Sequence, residues 1–205
     1  MLFIFDMGGV VTNTFKMDSI YNKLNLEKSD FSDICHSSGR DLMHELSIGK
    51  IGSSEFWDEF NRKVAELKKS AAGEKFALVP EVTTDLFRIC FHPSKNLETI
   101  ELIKQLKKKH RVVCGTNTIQ SHWENHVERG DYSVFNQTYP SNKIGFEKPD
   151  PHFFEVILEA EETAAENAFF TDDKAANVAG AASIGIHAEV FTSAADLAAK
   201  WKQYL

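Results

Sequence analysis

The sequence lacks the features that mark disulfide-stabilised, zinc-binding or membrane-spanning proteins. Its three cysteines, Cys35, Cys90 and Cys114, are widely spaced and contain no CxxC pair, so neither a disulfide framework nor a zinc site is expected. No apolar run approaches the roughly 20 residues that span a bilayer. The N-terminus has no basic region followed by a cleavage site. These absences lead us to expect a soluble, cytoplasmic protein with no membrane partner.

Clusters of positive charge are scarce as well. The formal net charge is -7 at pH 7, and the longest basic run is Lys107–Lys109, at the predicted end of a helix, where it complements the helix dipole. Such a chain is not expected to bind nucleic acid. The hydrophobic (42%) and charged (26%) fractions are close to globular averages, so a packed core is expected. A monomer and a homodimer are both compatible with these features.

The chain starts with a short apolar run that leads directly into a carboxylate. Leu2–Phe5 is followed by Asp6 and then by the glycine pair Gly8–Gly9. A short apolar run bounded by glycines is typical of a strand that is buried on both faces of a parallel sheet. Asp6 would then lie at the carboxyl end of the strand, where open α/β sheets bind their ligands. The alternative interpretation is that Asp6 only opens a turn.

Residues 15–91 show helical spacing of apolar residues and no convincing strand. One set at positions i, i+3, i+4 and i+7 comprises Met17, Ile20, Tyr21 and Leu24. Ser53 is predicted to cap the N-terminus of the strongest helix, and a short helix is predicted from about Val82 to Cys90. This part of the chain is therefore predicted to be all-helical.

From residue 92 onward, predicted strands alternate with predicted helices. The strands are Arg111–Thr116, a short strand beginning near Val134–Phe135, Ala168–Thr171 and His187–Phe191. This alternation predicts an α/β fold with a doubly wound parallel sheet. Because the first strand precedes the helical stretch, we predict a core domain of residues 1–14 and 92–205 with an inserted helical domain of residues 15–91.

Polar residues follow three of the predicted strands: Asp6, Thr116–Asn117 and Asp172–Asp173. The carboxyl ends of parallel strands meet at one edge of the sheet, so three carboxylates would converge there. Clustered carboxylates raise one another's pKa unless a cation lies among them. Oxygen ligands favour a hard ion such as Mg²⁺. The alternative is that Asp172–Asp173 caps the helix that follows.

Four segments in order carry a family resemblance. They are Asp6-Met7-Gly8-Gly9-Val10, Val112-Val113-Cys114-Gly115-Thr116-Asn117, Gly145-Phe146-Glu147-Lys148-Pro149-Asp150 and Phe169-Phe170-Thr171-Asp172-Asp173-Lys174-Ala175-Ala176-Asn177. This order resembles the four motifs of the haloacid dehalogenase superfamily. The sequence is most similar to the phosphatase branch that includes bacterial α-D-glucose-1-phosphate phosphatase. The resemblance implies a Rossmann-like core with an inserted helical cap.

The resemblance also implies a nucleophile and a metal site. Asp6 would attack phosphorus and carry an aspartyl-phosphate. Mg²⁺ would be held by Asp6, the backbone carbonyl of Gly8 and Asp173. Asp172 would contact the metal through water or support its ligands. Asn177 would orient the Asp173 carboxylate.

The same resemblance assigns the phosphate-binding groups. Gly9, Thr116 and Asn117 would contact the substrate. Lys148 would keep Asp6 ionised and pair with the phosphate. Lys143 lies nearby in sequence and would take the role of Lys148 if the loop is shifted.

The departure from the family pattern is Gly8, where most of these phosphatases have a second aspartate that serves as general acid and base. General acid–base help is typically worth about 10²–10⁴-fold. Without it, the substrate needs a good leaving group, as in a sugar 1-phosphate, or another group supplies the proton. Alternatively, the protein turns over slowly or only binds phosphorylated ligands as a regulatory protein. Lys16, Arg40 and His44 in the cap, together with Asn13, are the candidates for contacting the leaving group.

The resemblance also leaves other chemistry open. A metal-independent 2-haloacid dehalogenase does not need Asp172 and Asp173, so these residues favour phosphate chemistry. Phosphonate hydrolysis would need a cap lysine, for which only Lys16 and Lys23 are near enough in sequence. We therefore predict a Mg²⁺-dependent phosphatase that hydrolyses a small phosphorylated metabolite, such as a sugar phosphate.

Overall fold

A computed structural model describes residues 1–36, 39–71 and 73–205. The strands are β1 (Leu2–Phe5), β2 (Arg111–Thr116), β3 (Gln137–Pro140), β4 (Ala168–Asp172) and β5 (His187–Val190). The α-helices are α1 (Asp18–Leu24), α2 (Lys28–Cys35), α3 (Leu42–Ser47), α4 (Ser53–Lys68), α5 (Gly73–Phe76), α6 (Leu86–Cys90), α7 (Leu97–Leu106), α8 (Gln120–Glu128), α9 (Ser141–Ile144), α10 (Pro151–Ala160), α11 (Ala175–Ala182) and α12 (Ala194–Lys200). In the part of the chain that is described, no helix is long and apolar enough to cross a membrane.

The strands form one parallel sheet in the order β3-β2-β1-β4-β5. Strand β1 is central: Leu2 pairs with Arg111 of β2 on one side and with Ala168 of β4 on the other. All four residues of β1 are buried, which explains why the run is wholly apolar. The predicted α/β fold with a parallel sheet is confirmed.

Helices cover both faces of the sheet. Successive side chains of a strand point to opposite faces. Phe3 and Phe5 pack with α7 and α12 on one face, and Leu2 and Ile4 pack with α10 and α11 on the other. The core of this layered unit lies directly beneath Asp6, so the carboxyl end of β1 is held on a rigid platform.

Helices α1 to α6, here called the helical region (residues 18–90), surround an apolar cluster of their own. Phe31, Phe56, Phe60 and Phe87 are at its centre. Ile119, which follows β2 in the chain, also belongs to this cluster and connects the helical region to the sheet. The division of the chain at residues 14/15 and 91/92 stays a prediction.

The prediction that a strand begins at Val134–Phe135 is wrong. Asp131–Val134 forms a 3-10 turn, and β3 begins at Gln137. The strand lies at an edge of the sheet and ends at Pro140, and edge strands carry a weak hydrophobic signal. The buried Phe135 that suggested a strand belongs to the preceding loop.

Two details of the helical region also differ from prediction. Ser53 is the first residue of α4 rather than its cap, because its hydroxyl is hydrogen-bonded to the Ser121 hydroxyl at 2.5 Å. Helix α6 starts at Leu86 and not near Val82, because the Asp85 carboxylate caps it by accepting from the backbone N–H groups of the first turn. Both differences arise from side-chain hydrogen bonds that helical spacing does not reveal.

Candidate active site

Asp6 is held at the end of β1 by both backbone and side-chain contacts. Its backbone N–H donates to the carbonyl of Thr171 at 3.0 Å, so it continues the pairing with β4. Its side chain is almost buried, and the carboxylate Oδ1 lies 2.7 Å from Nζ of Lys148. Asp6 is therefore not merely a turn residue but half of a buried ion pair.

Lys148 is the buried cation of the site. Its Nζ donates to Oδ1 of Asp6, to Oδ2 of Asp172 at 2.6 Å and to the carbonyl of Gly115 at 2.9 Å. Three acceptors satisfy the three protons of the ammonium group. Lys143, in contrast, is exposed on α9. The lysine that contacts Asp6 is thus Lys148.

The loop after β2 positions this lysine. The side chain of Asn117 donates to the carbonyl of Lys148 and accepts from its backbone N–H, both at 2.8 Å. Asn117 is predicted to contact the substrate, but its side chain pairs with the backbone of Lys148. The neighbouring Thr116 is almost buried and lines the same cavity as Asp6.

Asp172 is fully buried, and both of its carboxylate oxygens accept hydrogen bonds. Oδ2 accepts from Lys148 and from the Asn177 side chain at 2.9 Å, and Oδ1 accepts from the backbone N–H of Lys174 at 2.9 Å. The prediction that Asn177 orients Asp173 is therefore wrong, since its amide is bonded to Asp172. Oδ1 of Asp172 accepts from Lys174, the residue before α11, and not from a residue of the helix. The alternative interpretation that Asp172 caps this helix is therefore wrong.

The carboxylates fit a divalent cation. Asp6, Asp172 and Asp173 each present an oxygen within 4.8 Å of the others. Oδ1 of Asp173 is buried and accepts no hydrogen bond from the described residues. A buried carboxylate oxygen without a donor is unfavourable unless a cation or water contacts it. An oxygen-only ligand set of this kind suits Mg²⁺.

The electrostatics agree with a cation at this position. Burial raises the pKa of Asp6 to about 6; Lys148 opposes this rise and Asp172 adds to it. Burial and the Asp172 charge also raise the pKa of Asp173. Both shifts reflect carboxylates placed close together with too little positive charge, which a bound cation would supply.

Gly8 and Gly9 differ in the space around them. Gly9 has φ +82°, and a Cβ there would lie 2.3 Å from Oδ2 of Asp173. The backbone N–H of Gly9 donates to the carbonyl of Thr12 at 2.7 Å. Gly9 is predicted to bind substrate, but this N–H group is used inside the loop. A Cβ at Gly8 meets no described atom within 4 Å. Gly9 is thus required for the approach of Asp173, whereas Gly8 is not required sterically.

We expect Gly9→Ala to lower the free energy of unfolding by about 1–2 kcal/mol, because alanine is strained at positive φ and its Cβ displaces Asp173. Gly8→Ala is the matched control and should change this free energy by no more than about 0.5 kcal/mol. Urea unfolding followed by tryptophan fluorescence measures both. Equal destabilisation by the two variants would contradict this account of the loop.

The predicted cap residues do not line the cavity beside Asp6. A cavity of about 440 Å³ extends from Asp6, and Lys16, Lys23, Arg40 and His44 are not among the described residues that line it. Arg40 is paired with Glu45, with Nε to Oε2 at 3.0 Å. His44 Nδ1 lies 2.5 Å from Oε1 of Glu147 and connects α3 to the loop before Lys148. Asn13 does line the cavity, but its side-chain oxygen accepts from Ser94.

Sequence reasoning missed most of the cavity wall. The missed residues include Phe15, Met17, Phe87, Phe91, His122 and Glu147. Most of these are apolar residues in helical or loop segments, where they suggest packing rather than a binding site. A usable signal was the position of Phe15 and Met17, which directly follow the glycine loop beside Asp6.

Two known proteins are similar to this chain in sequence. The chain is 27% identical over 185 residues to the sesquiterpene phosphatase astK of Aspergillus oryzae (strain ATCC 42149 / RIB 40), covering 89% of this chain and 85% of that protein. It is 26% identical over 155 residues to the drimenol cyclase drtB of Aspergillus calidoustus, covering 71% of this chain but only 29% of that longer protein.

Solved structures share the fold. An HAD family enzyme, bt-2542 from Bacteroides thetaiotaomicron, in complex with magnesium and inorganic phosphate, aligns with a TM-score of 0.69 at 21% identity, covering 93% of both chains. The 2-haloacid dehalogenase from Pseudomonas syringae pv. Tomato DC3000 aligns with a TM-score of 0.67 at 15% identity, covering 100% of this chain and 99% of that chain. Residues 1–185 match the haloacid dehalogenase-like hydrolase family, and the chain therefore belongs to these hydrolases.

Proposed function

We propose that this hydrolase is a Mg²⁺-dependent phosphatase that acts on a small phosphomonoester. The observation that carries the proposal is the buried Lys148, which contacts both Asp6 and Asp172, next to the unsatisfied Oδ1 of Asp173. Asp6 offers a carboxylate nucleophile, and Lys148 offers a positive charge for the phosphate. The free oxygen of Asp173 offers a place for a metal cation. A phosphoryl group needs these three features.

The chain's own residues would carry out the transfer in two steps. Lys148 holds Oδ1 of Asp6, and the carboxylate attacks phosphorus while the ester P–O bond breaks. Because residue 8 is glycine, the leaving oxygen takes its proton from water and departs as the alcohol. Water then hydrolyses the aspartyl-phosphate and releases inorganic phosphate. Mg²⁺, when held by Asp6, the Gly8 carbonyl and Asp173, would neutralise charge on the transferring group. Thr116 and the backbone of Asn117 would contact the phosphate oxygens.

Asp172 takes a different role in this proposal. Both of its oxygens already accept N–H hydrogen bonds, so we assign it to holding Lys148 in place rather than to binding the metal directly. Asn177 supports Asp172 in turn. Asp172 and Asp173 are consecutive but have separate roles: Asp172 holds Lys148, and Asp173 would bind the metal.

The relatives support phosphate chemistry over dehalogenation. One relative is named a sesquiterpene phosphatase, and one enzyme of the same fold was crystallised with magnesium and inorganic phosphate. Another enzyme of the same fold is a 2-haloacid dehalogenase, so the fold alone does not decide. The cluster of Asp6, Asp172 and Asp173 favours the phosphatase, because three carboxylates so close together suit a metal ion and a metal-independent dehalogenase does not need one.

The test is phosphate release from a panel of sugar, alkyl and aryl monophosphates, with Mg²⁺ and with EDTA. We expect release from at least one class of ester, and we expect EDTA to abolish it. No Mg²⁺-dependent release from any ester would refute the proposal. Metal-independent chloride release from 2-chloropropionate would establish the dehalogenase instead.

Gly8→Asp tests whether the absent carboxylate limits the rate. The cavity side of Gly8 has room for a side chain, so the variant should fold and supply a proton to the leaving alcohol. We expect kcat to rise about ten-fold or more for esters of weakly acidic alcohols. Gly8→Asn is the matched control, since it has nearly the same size but cannot transfer the proton. Equal kcat values for the two variants would show that the missing acid is not limiting.

A further inference from the structure

The cavity beside Asp6 has a polar end and an apolar wall. The polar end holds the Asp6–Lys148 pair and the loop after β2. The apolar wall is built by side chains from separate segments: Phe15, Met17, Met43, Phe87, Phe91 and Ile119. Phe15, Met17 and Met43 are only partly buried, although they pack against the apolar cluster of the helical region. Apolar side chains are thus left partly uncovered next to the nucleophile.

Ring contacts hold part of this wall in place. The rings of Phe91 and His122 are stacked with centroids 3.8 Å apart. Phe15 packs edge-on against both, at 5.5 Å from Phe91 and 4.7 Å from His122. Such packing restricts ring rotation and gives a preformed surface. A hydrocarbon can bind such a surface with little ordering of the protein.

The wall is also uncharged. The charged side chains that line the described part of the cavity are Asp6, Glu147, Lys148 and Lys174. Asp6 and Lys148 are paired at the polar end, and Glu147 is hydrogen-bonded to His44 and Ser47 of α3. None of them belongs to the apolar wall.

Two histidines, His122 and His126, also line the cavity. Burial lowers the pKa of His122 to about 3 and lowers the pKa of His126 as well. The His122 ring is therefore uncharged at pH 7, and it adds aromatic area to the wall without adding charge. Nδ1 of His126 lies 2.8 Å from Oδ2 of Asp131, which opposes the effect of burial.

We propose that the leaving group in this cavity is a hydrocarbon alcohol, so that the substrate is the monophosphate ester of a long-chain or cyclic apolar alcohol. The inference rests on the proposed phosphatase function and specifies its substrate class. Water adds across the ester P–O bond, and the products are the apolar alcohol and inorganic phosphate. A sugar phosphate fits less well, because hydroxyl groups pressed against Phe15 and Phe91 would lose water without gaining hydrogen bonds.

Binding to the Asp6→Asn variant tests the inference apart from turnover. We compare ethyl phosphate and octyl phosphate by calorimetry in the presence of Mg²⁺, below the concentration at which octyl phosphate self-associates. Octyl phosphate should bind at least about ten-fold more tightly, because each fully buried methylene contributes roughly four-fold. The wild-type protein should show the same order in kcat/KM.

Phe15→Ala and Leu78→Ala form the matched pair of variants, each made together with Asp6→Asn. Leu78 is 80% exposed and is not among the residues that line the cavity. Phe15→Ala should reduce the preference for octyl over ethyl phosphate about five-fold, and Leu78→Ala should leave it unchanged. Equal affinity for the two phosphates, or equal effects of the two variants, would overturn the inference. Selective octyl phosphate binding without turnover by the wild type would support the apolar wall and overturn the phosphatase proposal.

Discussion

Asp6→Asn is expected to lower kcat for Mg²⁺-dependent phosphate release by at least about 10³-fold. Asparagine keeps the size of the side chain, and its carbonyl can still accept from Lys148, but it cannot form the covalent intermediate. The fold should be retained, because Lys148 keeps Asp172 as a partner and one carboxylate is removed from a crowded cluster. We expect the free energy of unfolding to change by less than about 1 kcal/mol.

Three measurements separate loss of chemistry from loss of structure. Steady-state kinetics gives kcat, urea unfolding gives the stability, and the increase in Tm caused by Mg²⁺ reports on the metal site. We expect this increase to be smaller in Asp6→Asn, because a ligand to the metal has lost its charge. Asp33→Asn, at an exposed position on α2, is the control and should behave like the wild type. Retention of more than about a tenth of the wild-type kcat by Asp6→Asn would exclude Asp6 as the nucleophile.

Lys148→Met is expected to affect both stability and activity. The Lys148 side chain is 1% exposed and pairs with two carboxylates. Methionine fills a similar volume but leaves Asp6 and Asp172 buried without their cation. Breaking a buried ion pair from one side costs about 3–5 kcal/mol. The free energy of unfolding should fall by about 3 kcal/mol, and kcat should fall by at least about 10²-fold.

The control for Lys148→Met comes from the same segment. Lys143→Met replaces an exposed lysine on α9 and should change the free energy of unfolding by no more than about 0.5 kcal/mol. Adding Asp172→Asn to Lys148→Met should restore part of the lost stability, because it removes one of the two uncompensated carboxylates. It should not restore kcat. A Lys148→Met variant as stable as Lys143→Met would contradict the buried ion-pair network.

Much of the fold could be predicted from the sequence because its signals are local. The run Leu2–Phe5 matches β1 at both ends, since a strand buried on both faces has no polar position to blur the pattern. Strand β2 likewise occupies the predicted range Arg111–Thr116. Strand β3 was misplaced because its signal is weak: it lies at the sheet edge, and its first three residues are not buried.

In the candidate site, the sequence predicts the main residues but not their hydrogen-bond partners. Motif order was enough to choose Asp6 and Lys148, but not to assign the hydrogen bonds of the amides around them. Neighbouring carboxylates such as Asp172 and Asp173 can point in different directions, so spacing could not tell which of them Asn177 contacts. The pairing of Asn117 with the backbone of Lys148 depends on how two distant loops meet.

The central position of β1 has a consequence for how the protein is made. Its neighbours are β2 and β4, and Leu2 pairs with both Arg111 and Ala168. A ribosome that has extended the chain only to residue 110 has supplied neither partner, and β1 is then an unpaired apolar segment that is prone to aggregate. The helical region can form earlier because its contacts are more local. Asp6 is held in place only after Thr171 has been synthesised, so nascent chains that stall before that residue cannot assemble the nucleophile.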